Sequence, residues 1–227
     1  MLSFHDALDL DEYLVSSQGA LVRHARTGTR LWHRPVESSL ATHLVDEGLR
    51  RGVDVLLYTT NGIFVERESP WASGARPRVD ATLRFHPADL RALAAAAPLK
   101  VLWYAPPAVV AALAVECAAV YGSRAEIVVT APELLEFNAP DATKATAVAT
   151  VATHYGVAQA DVVAFGDGLN DVALLRWAGC GVAVSHAQPA ARDAADLVVP
   201  EGDANTSLAR GIALILSGAA LPDESRG

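Results

Sequence analysis

Asp161-Val162-Val163-Ala164-Phe165-Gly166-Asp167-Gly168-Leu169-Asn170-Asp171 carries more structural information than any other part of this 227-residue chain. Val162–Phe165 is a short apolar run, β-branched and aromatic, bounded by Asp161 and Gly166. Such a run predicts a strand buried on both faces of a parallel sheet. From Val172 the spacing changes. Val172, Leu174, Leu175 and Ala178 recur at helical intervals, and Gly179 is expected to close that helix just past its end. Residues 166–171 are then a strand-to-helix turn at the carboxyl end of a parallel strand, where open α/β sheets hold their ligands.

The side chains of that turn narrow the chemistry. Asp167 and Asp171 are hard oxygen donors four residues apart, with Gly168 allowing a sharp bend between them. Such a pair suits Mg²⁺, which takes oxygen ligands and keeps waters that a phosphate can replace. The composition of the turn fits equally a polar loop in which Asn170 or Asp171 caps the helix.

The wider segment separates these readings. Gly166-Asp-Gly-Leu-Asn-Asp171, then Val172-Ala-Leu-Leu-Arg-Trp-Ala-Gly-Cys-Gly-Val-Ala-Val184, then Ala194-Ala195-Asp196, resembles the last motif of the haloacid dehalogenase superfamily, and the likeness runs to Val199. It most resembles the Cof-type sugar-phosphate phosphatases. The resemblance implies an α/β chain: a Rossmann-like core (here N-terminally incomplete) carrying an inserted α/β cap. It also implies that Asp167 binds Mg²⁺, that Asn170 contacts the phosphate side of the site, and that Asp171 supports the metal.

Composition is compatible with this. With 52% hydrophobic and 19% charged residues the chain can bury a sizeable core. A net charge of −8 argues against nucleic acid or an anionic membrane as partner. Cys117 and Cys180 lack metal-site spacing and read as buried, reduced thiols. The N-terminus lacks the pattern of a secretory signal. No apolar run approaches the roughly 20 residues of a membrane span. The expectation is a cytoplasmic protein, monomer or homodimer. P-type ion pumps carry a similar Gly-Asp-Gly-x-Asn-Asp turn, but without spans this is no intact pump.

Along the chain, Tyr13–Val15 reads as a strand and Gln18-Gly19 as a turn, where the Cof-type pattern has Asn-Gly-Ala. Residues 20–138 read as the cap and residues 1–19 with 139–227 as the partial core. Within the cap, Leu21–His24 and Arg30–His33 form a hairpin about Thr27-Gly28-Thr29, and Glu37–Gly52 is helical. Asp54–Thr59 and Ile63–Glu66 flank Asn61-Gly62, a strong turn signal. Leu90–Ala97 is a helix begun by Pro87, Val101–Tyr104 a strand and Pro106–Tyr121 a helix, with strands at Ile127–Thr130 and Leu134–Phe137. The longest loop, Arg67–Arg78, holds Trp71, which reads as a packing residue like Trp32, Trp103 and Trp177, with a substrate-facing place in the cap loop as the alternative. The core resumes with Asp141 capping a helix at Ala142–Tyr155. Strands Gly181–Val184 and Leu197–Val199 and helices Gln188–Ala194 and Asn205–Leu216 follow, then a frayed tail.

Lys144 would stand third in the helix capped by Asp141, where the helix dipole disfavours a cation. The chain has only two lysines, the other being Lys100, which reads as solvated surface. A bound anion would explain Lys144, since helix N–H groups and one ammonium together hold phosphate, although by position alone a solvated surface lysine is the better reading. The family has an obligatory lysine upstream of its Gly-Asp turn, and Lys144 matches that position. The seven histidines are scattered without ligand spacing, so none is expected to bind metal or act in catalysis.

One part of the pattern is missing. The family attacks phosphate with the first Asp of an N-terminal Asp-x-Asp-Gly-Thr motif, forming an aspartyl-phosphate. Asp9-Leu10-Asp11 looks similar, but Glu12-Tyr13 replaces Gly-Thr and the preceding residues make a poor buried strand. Asp9 and Asp11 fit better as the end of a helix. The absent strand would be central, and its loss would bare the edges of two others. The segment is therefore expected upstream of Met1, the alternative being a degenerate remnant. Two functions stay open: a Mg²⁺-dependent phosphatase of a small phosphorylated metabolite (a sugar or cofactor phosphate), inactive as written, or a non-catalytic phosphate-binding protein.

Overall fold

A computed structural model describes residues 7–66 and 85–218. The expected loop at 67–78 with Trp71, the start of the chain with His5, and the expected tail at 222–227 lie outside the described residues. The chain divides into two compact units, Met1–Ala142 and Thr143–Gly227.

The first unit holds two sheets. Strands β1 (Tyr13–Ser16), β2 (Leu21–His24) and β3 (Arg30–His33) form an antiparallel meander, so the segment expected to belong with the core is paired here with β2. Strands β4 (Asp54–Thr59), β5 (Gly62–Val65), β6 (Phe85–Pro87), β7 (Lys100–Tyr104), β8 (Glu126–Ala131) and β9 (Leu134–Asn138) make a mixed sheet ordered β6-β5-β4-β7-β9-β8. Helices α1 (Ser38–Arg51), α2 (Leu90–Ala95) and α3 (Pro107–Tyr121) belong to this unit. Val55 and Leu57 of β4, Val101 and Trp103 of β7, and Leu135 and Phe137 of β9 pack with Leu40 and Leu44 of α1 and Val110 and Leu113 of α3. Trp103 is fully buried, and its indole N–H donates to the Leu44 carbonyl at 3.1 Å. Gly52 ends α1 at φ +73°, a left-handed position that an L side chain would strain.

Two local expectations fail here. Pro87 does not begin α2. It ends β6, and Asp89 caps the helix by accepting the N–H groups of Arg91 and Ala92. Lys100 is not a surface lysine. It is 6% exposed, with Nζ 2.9 Å from Glu136 Oε1 and 4.1 Å from the Tyr58 ring centroid. Thr130 and Gln18 also donate to Glu136, at 2.9 and 3.2 Å. Register explains the placement: Lys100 and Leu102 alternate with Val101 and Trp103, and lie on the sheet face away from the main core.

The second unit is built on a parallel sheet, β10 (Val163–Gly166), β11 (Cys180–Ala183) and β12 (Leu197–Val198), in that order. Its helices are α4 (Lys144–Tyr155), α5 (Val172–Trp177), α6 (Pro189–Ala194) and α7 (Ser207–Leu216). Ala164 packs with Leu174 of α5 and Val148 of α4, while Phe165 packs with Val199 and with Ile215 of α7. Alternate residues of β10 thus reach helices on opposite faces, as a parallel strand requires. The strand is nonetheless an edge strand, and Val163 is 37% exposed rather than buried. Gly179 is not a left-handed helix end. Ala178 caps α5 in extended conformation, and a Cβ on Gly179 would lie 2.1 Å from the Ala160 carbonyl oxygen, so close approach explains the glycine.

Cys117 and Cys180 are buried and unpaired, and burial pushes the Cys117 thiol up to about 11, which leaves it unreactive at neutral pH. Among the described residues no helix is long and apolar enough to cross a membrane.

The Lys100–Glu136 pair gives a stability test. Glu136→Leu strands a buried ammonium and should cost about 3–5 kcal/mol, whereas Lys100→Met with Glu136→Leu should recover most of it. Urea denaturation of the two single variants and the double variant checks this, and a double variant as unstable as Glu136→Leu would contradict it.

Candidate active site

The carboxyl end of β10 runs through Asp167 and Gly168 into a 3₁₀ turn, Leu169–Asp171, and then α5. Asp171 folds back over this turn. Its Oδ2 accepts the N–H groups of Asp167 and Gly168 at 3.0 and 3.1 Å, and its Oδ1 lies 2.5 Å from Lys144 Nζ. A Cβ on Gly166 would fall 2.5 Å from the Asp171 Cβ, and one on Gly168 would fall 2.8 Å from Asn170 Oδ1. Both glycines are therefore required by close approach of the turn to itself.

Asp171 is 4% exposed. Burial alone pushes its carboxyl up, but the Lys144 ammonium and the two backbone N–H groups outweigh burial and hold it below the usual carboxylate range. Asp167 differs. It is exposed, and among the described residues its carboxylate has no hydrogen-bond or ionic partner.

Lys144 reaches Asp171 from the first position of α4. Asp141 is not the cap: Thr143 is, its Oγ1 accepting the Thr146 N–H at 3.1 Å, while Asp141 binds Arg34 at 2.8 Å. Lys144 thus sits at the helix start itself rather than third in it. The ammonium has three N–H groups, so pairing with Asp171 leaves two available.

Lys144, Phe165, Asp167, Asp171, His186 and Asn205 line a cavity of about 430 Å³, within the range of small-molecule sites. Three of the four expected site residues meet there. The fourth, Asn170, lies on the 3₁₀ turn with its Oδ1 over Gly168 and does not line the cavity. His186 and Asn205 were missed. A lone histidine has no ligand spacing to mark it, and the available signal was its place just after β11, since loops after neighbouring parallel strands open at one sheet edge. A second cavity of about 250 Å³, in the first unit, is lined by Asp54, Glu66 and apolar residues with no cationic side chain. Asp9 and Asp11 also lie in the first unit, 3.6 and 3.2 Å from Arg26, with Asp9 at φ +49°.

The donor set fits a hard divalent cation. Asp167 offers free carboxylate oxygens in a polar cavity, and Asp171 stands beside it with its charge already countered by Lys144.

Fold and site together define an α/β chain with a polar cavity at the carboxyl end of a parallel strand, lined by one lysine and two aspartates. The sequence matches the haloacid dehalogenase-like hydrolase family over residues 1–212, and the chain belongs to that family. It is 26% identical over 180 residues to the HMP-PP phosphatase of Cronobacter sakazakii (strain ATCC BAA-894), which covers 79% of this chain. The chain spans 65% of that relative's length. A haloacid dehalogenase-like hydrolase from Bacteroides thetaiotaomicron superposes with a TM-score of 0.81 at 18% identity, covering 94% of this chain and 81% of its own. A subclass IIB sugar phosphatase superposes with a TM-score of 0.77 at 17% identity, covering 96% and 80%.

The Asp171 hub is testable by pH. A depressed carboxyl contributes stability above its unfolded value near 3.9, and that contribution is lost as pH falls through the lower folded value. Asp171→Asn should destabilise the second unit by about 1.5–3 kcal/mol at pH 7, with the difference shrinking below about pH 4. Amide hydrogen exchange across β10 and α5 reads this, and a penalty unchanged at pH 3 would remove the charge argument.

Proposed function

We propose that this chain handles the phosphoryl group of a small phosphorylated metabolite as a Mg²⁺-dependent phosphatase of its family. In this reading residues 139–227 belong to the core and residues 20–138 form a cap that selects the substrate. The observation that carries it is the meeting of Lys144 with Asp171, 27 residues apart, in one cavity with the free carboxylate of Asp167. The names of the relatives, an HMP-PP phosphatase and a sugar phosphatase, support a small organic phosphate.

Each residue has a distinct part. Lys144 places its two remaining N–H groups on phosphoryl oxygens and counters the charge that develops on them. Because Asp171 already fixes the ammonium, little reorganisation is needed when the anion arrives. Asp167 would hold the metal with Asp171 in support, and Asn170, on the same turn, keeps the phosphate-side role that the family resemblance implies. A bound Mg²⁺ would supply positive charge to the phosphoryl oxygens.

A specific observation favours the second reading, binding without turnover. Among the residues lining the cavity the carboxylates are Asp167 and Asp171, one committed to the cation and the other to Lys144. Neither remains to attack phosphorus.

Phosphate binding by the full chain tests the proposal. Lys144→Ala should weaken inorganic phosphate binding roughly 10- to 100-fold, the worth of a charge-assisted hydrogen bond. Mg²⁺ should enhance phosphate affinity in the native chain. Asp167→Asn should abolish that enhancement while leaving metal-free affinity equal or higher, because the repelling carboxylate is gone. Calorimetry showing undiminished enhancement in Asp167→Asn would place the metal elsewhere.

Activity separates the two readings: Mg²⁺-dependent turnover of an aryl phosphate by the 227-residue chain would carry the first, and no turnover above background, the outcome that two committed carboxylates lead us to expect, carries the second. Turnover that disappears in Asp9→Asn would reinstate Asp9 as nucleophile.

A further inference from the structure

The loop after β11 is held by hydrogen bonds at Val184, Ser185, Ala187 and Gln188. The Val184 N–H donates to the Gly166 carbonyl at 3.1 Å, and the Gln188 N–H donates to the Asp167 carbonyl at 2.8 Å. These bonds tie both ends of the loop to the residues that begin the phosphate turn. The Ala187 N–H closes the loop on the Val184 carbonyl at 3.0 Å. Between them, the Ser185 N–H donates to the hydroxyl of Ser207, a fully buried residue at the start of α7, at 2.8 Å. Two guanidiniums also bind Ser185: Arg192 donates to its carbonyl at 3.1 Å and Arg210 to its hydroxyl at 3.4 Å.

His186 is the exception within this framework. Its side chain is exposed, lines the cavity, and has no hydrogen-bond or ionic partner among the described residues. A side chain that served only stability would gain nothing from a backbone fixed at its neighbours on both sides. An imidazole on a rigid loop, free at its tip and directed at a cavity, is the arrangement that binding demands, since a pre-placed donor loses little entropy on contact.

The chemistry of the surroundings identifies the ligand class. The cavity offers the Lys144 ammonium, the His186 ring N–H and the Asn205 amide, against the single free carboxylate of Asp167. Arg192 and Arg210 add positive potential behind Ser185. On the α7 side, Asp203 spends one oxygen on the Asn205 N–H at 3.0 Å, which also fixes the Asn205 backbone. These donors stand on three separate elements, α4, the loop after β11 and the turn before α7, around a cavity of about 430 Å³, a spread that suits an anion longer than one phosphoryl group. We propose that His186, with Asn205, binds a second phosphoryl group beyond the one held by Lys144, so that the preferred ligands of this site are small diphosphates. The proposal rests on the phosphate reading of the Lys144 site and adds to it a residue and a substrate class.

The probes are inorganic phosphate and inorganic pyrophosphate, titrated by calorimetry into the full chain in Mg²⁺-containing buffer. Pyrophosphate should bind more tightly than phosphate. His186→Ala should lower pyrophosphate affinity about tenfold or more, as loss of a hydrogen bond to a charged group does, and leave phosphate within about twofold. His186→Gln keeps a donor and should restore part of the loss, which a merely structural role would not predict. Lys144→Ala should weaken both anions. Equal affinities of the native chain for the two probes, or a His186→Ala variant that treats them alike, overturns the His186 assignment. If Lys144→Ala leaves phosphate binding intact, the phosphate reading of the site has failed instead.

Discussion

Asp171 is buried, charged and fully bonded, and each condition places a demand on the chain around it. Burying a carboxylate costs several kcal/mol unless donors replace the lost water. Here three do: the Lys144 ammonium and the N–H groups of Asp167 and Gly168. To bring those N–H groups round, the turn must pass so close to Asp171 that Gly166 cannot carry a Cβ. To bring the ammonium, α4 must begin at Lys144, which Thr143 ensures by capping it there. The Gly-Asp-Gly-x-Asn-Asp sequence and a lysine far upstream are thus parts of one electrostatic arrangement. The loop after β11 hangs on the same segment, through the carbonyls of Gly166 and Asp167.

The parts of this arrangement that are local in sequence were legible. The β10 run, the turn glycines and the spacing of Val172, Leu174 and Leu175 predict a strand, a turn and a helix, and all three form close to the expected bounds. The hairpins at β2–β3 and β4–β5 are equally readable, because their signals lie within a few residues, although the second turns on Thr60 and Asn61, with Gly62 already paired with Thr59. What escaped depends on distant partners. Asp141 and Thr143 are both competent caps, and only Arg34, more than a hundred residues earlier, shows that Asp141 is otherwise engaged. Lys100 carries no mark of burial in its own neighbourhood; its place on the sheet face and its partner Glu136 follow from the pairing of β7 with β9. His186 is one of seven histidines scattered through the sequence, and only the tie of its loop to the Gly166–Asp167 turn makes it part of the site.

The two carboxylates of the turn look equivalent in the sequence, and environment separates them. Asp171 is buried with all its charge countered, whereas Asp167 is exposed with none of it countered. The cavity's balance follows. Lys144 and Asp171 cancel, and the unpaired charge facing a ligand is that of Asp167, which is negative. A phosphate approaching this site would meet repulsion from Asp167 as well as attraction from Lys144. At 4 Å and an effective dielectric near 20, one such contact is worth about 4 kcal/mol, so the repulsion cannot be ignored. A hard cation held by Asp167 would supply the positive charge that offsets this repulsion. Because Asp171 holds Lys144, the ammonium is not free to neutralise Asp167, so any countercharge for that carboxylate has to come from outside the turn.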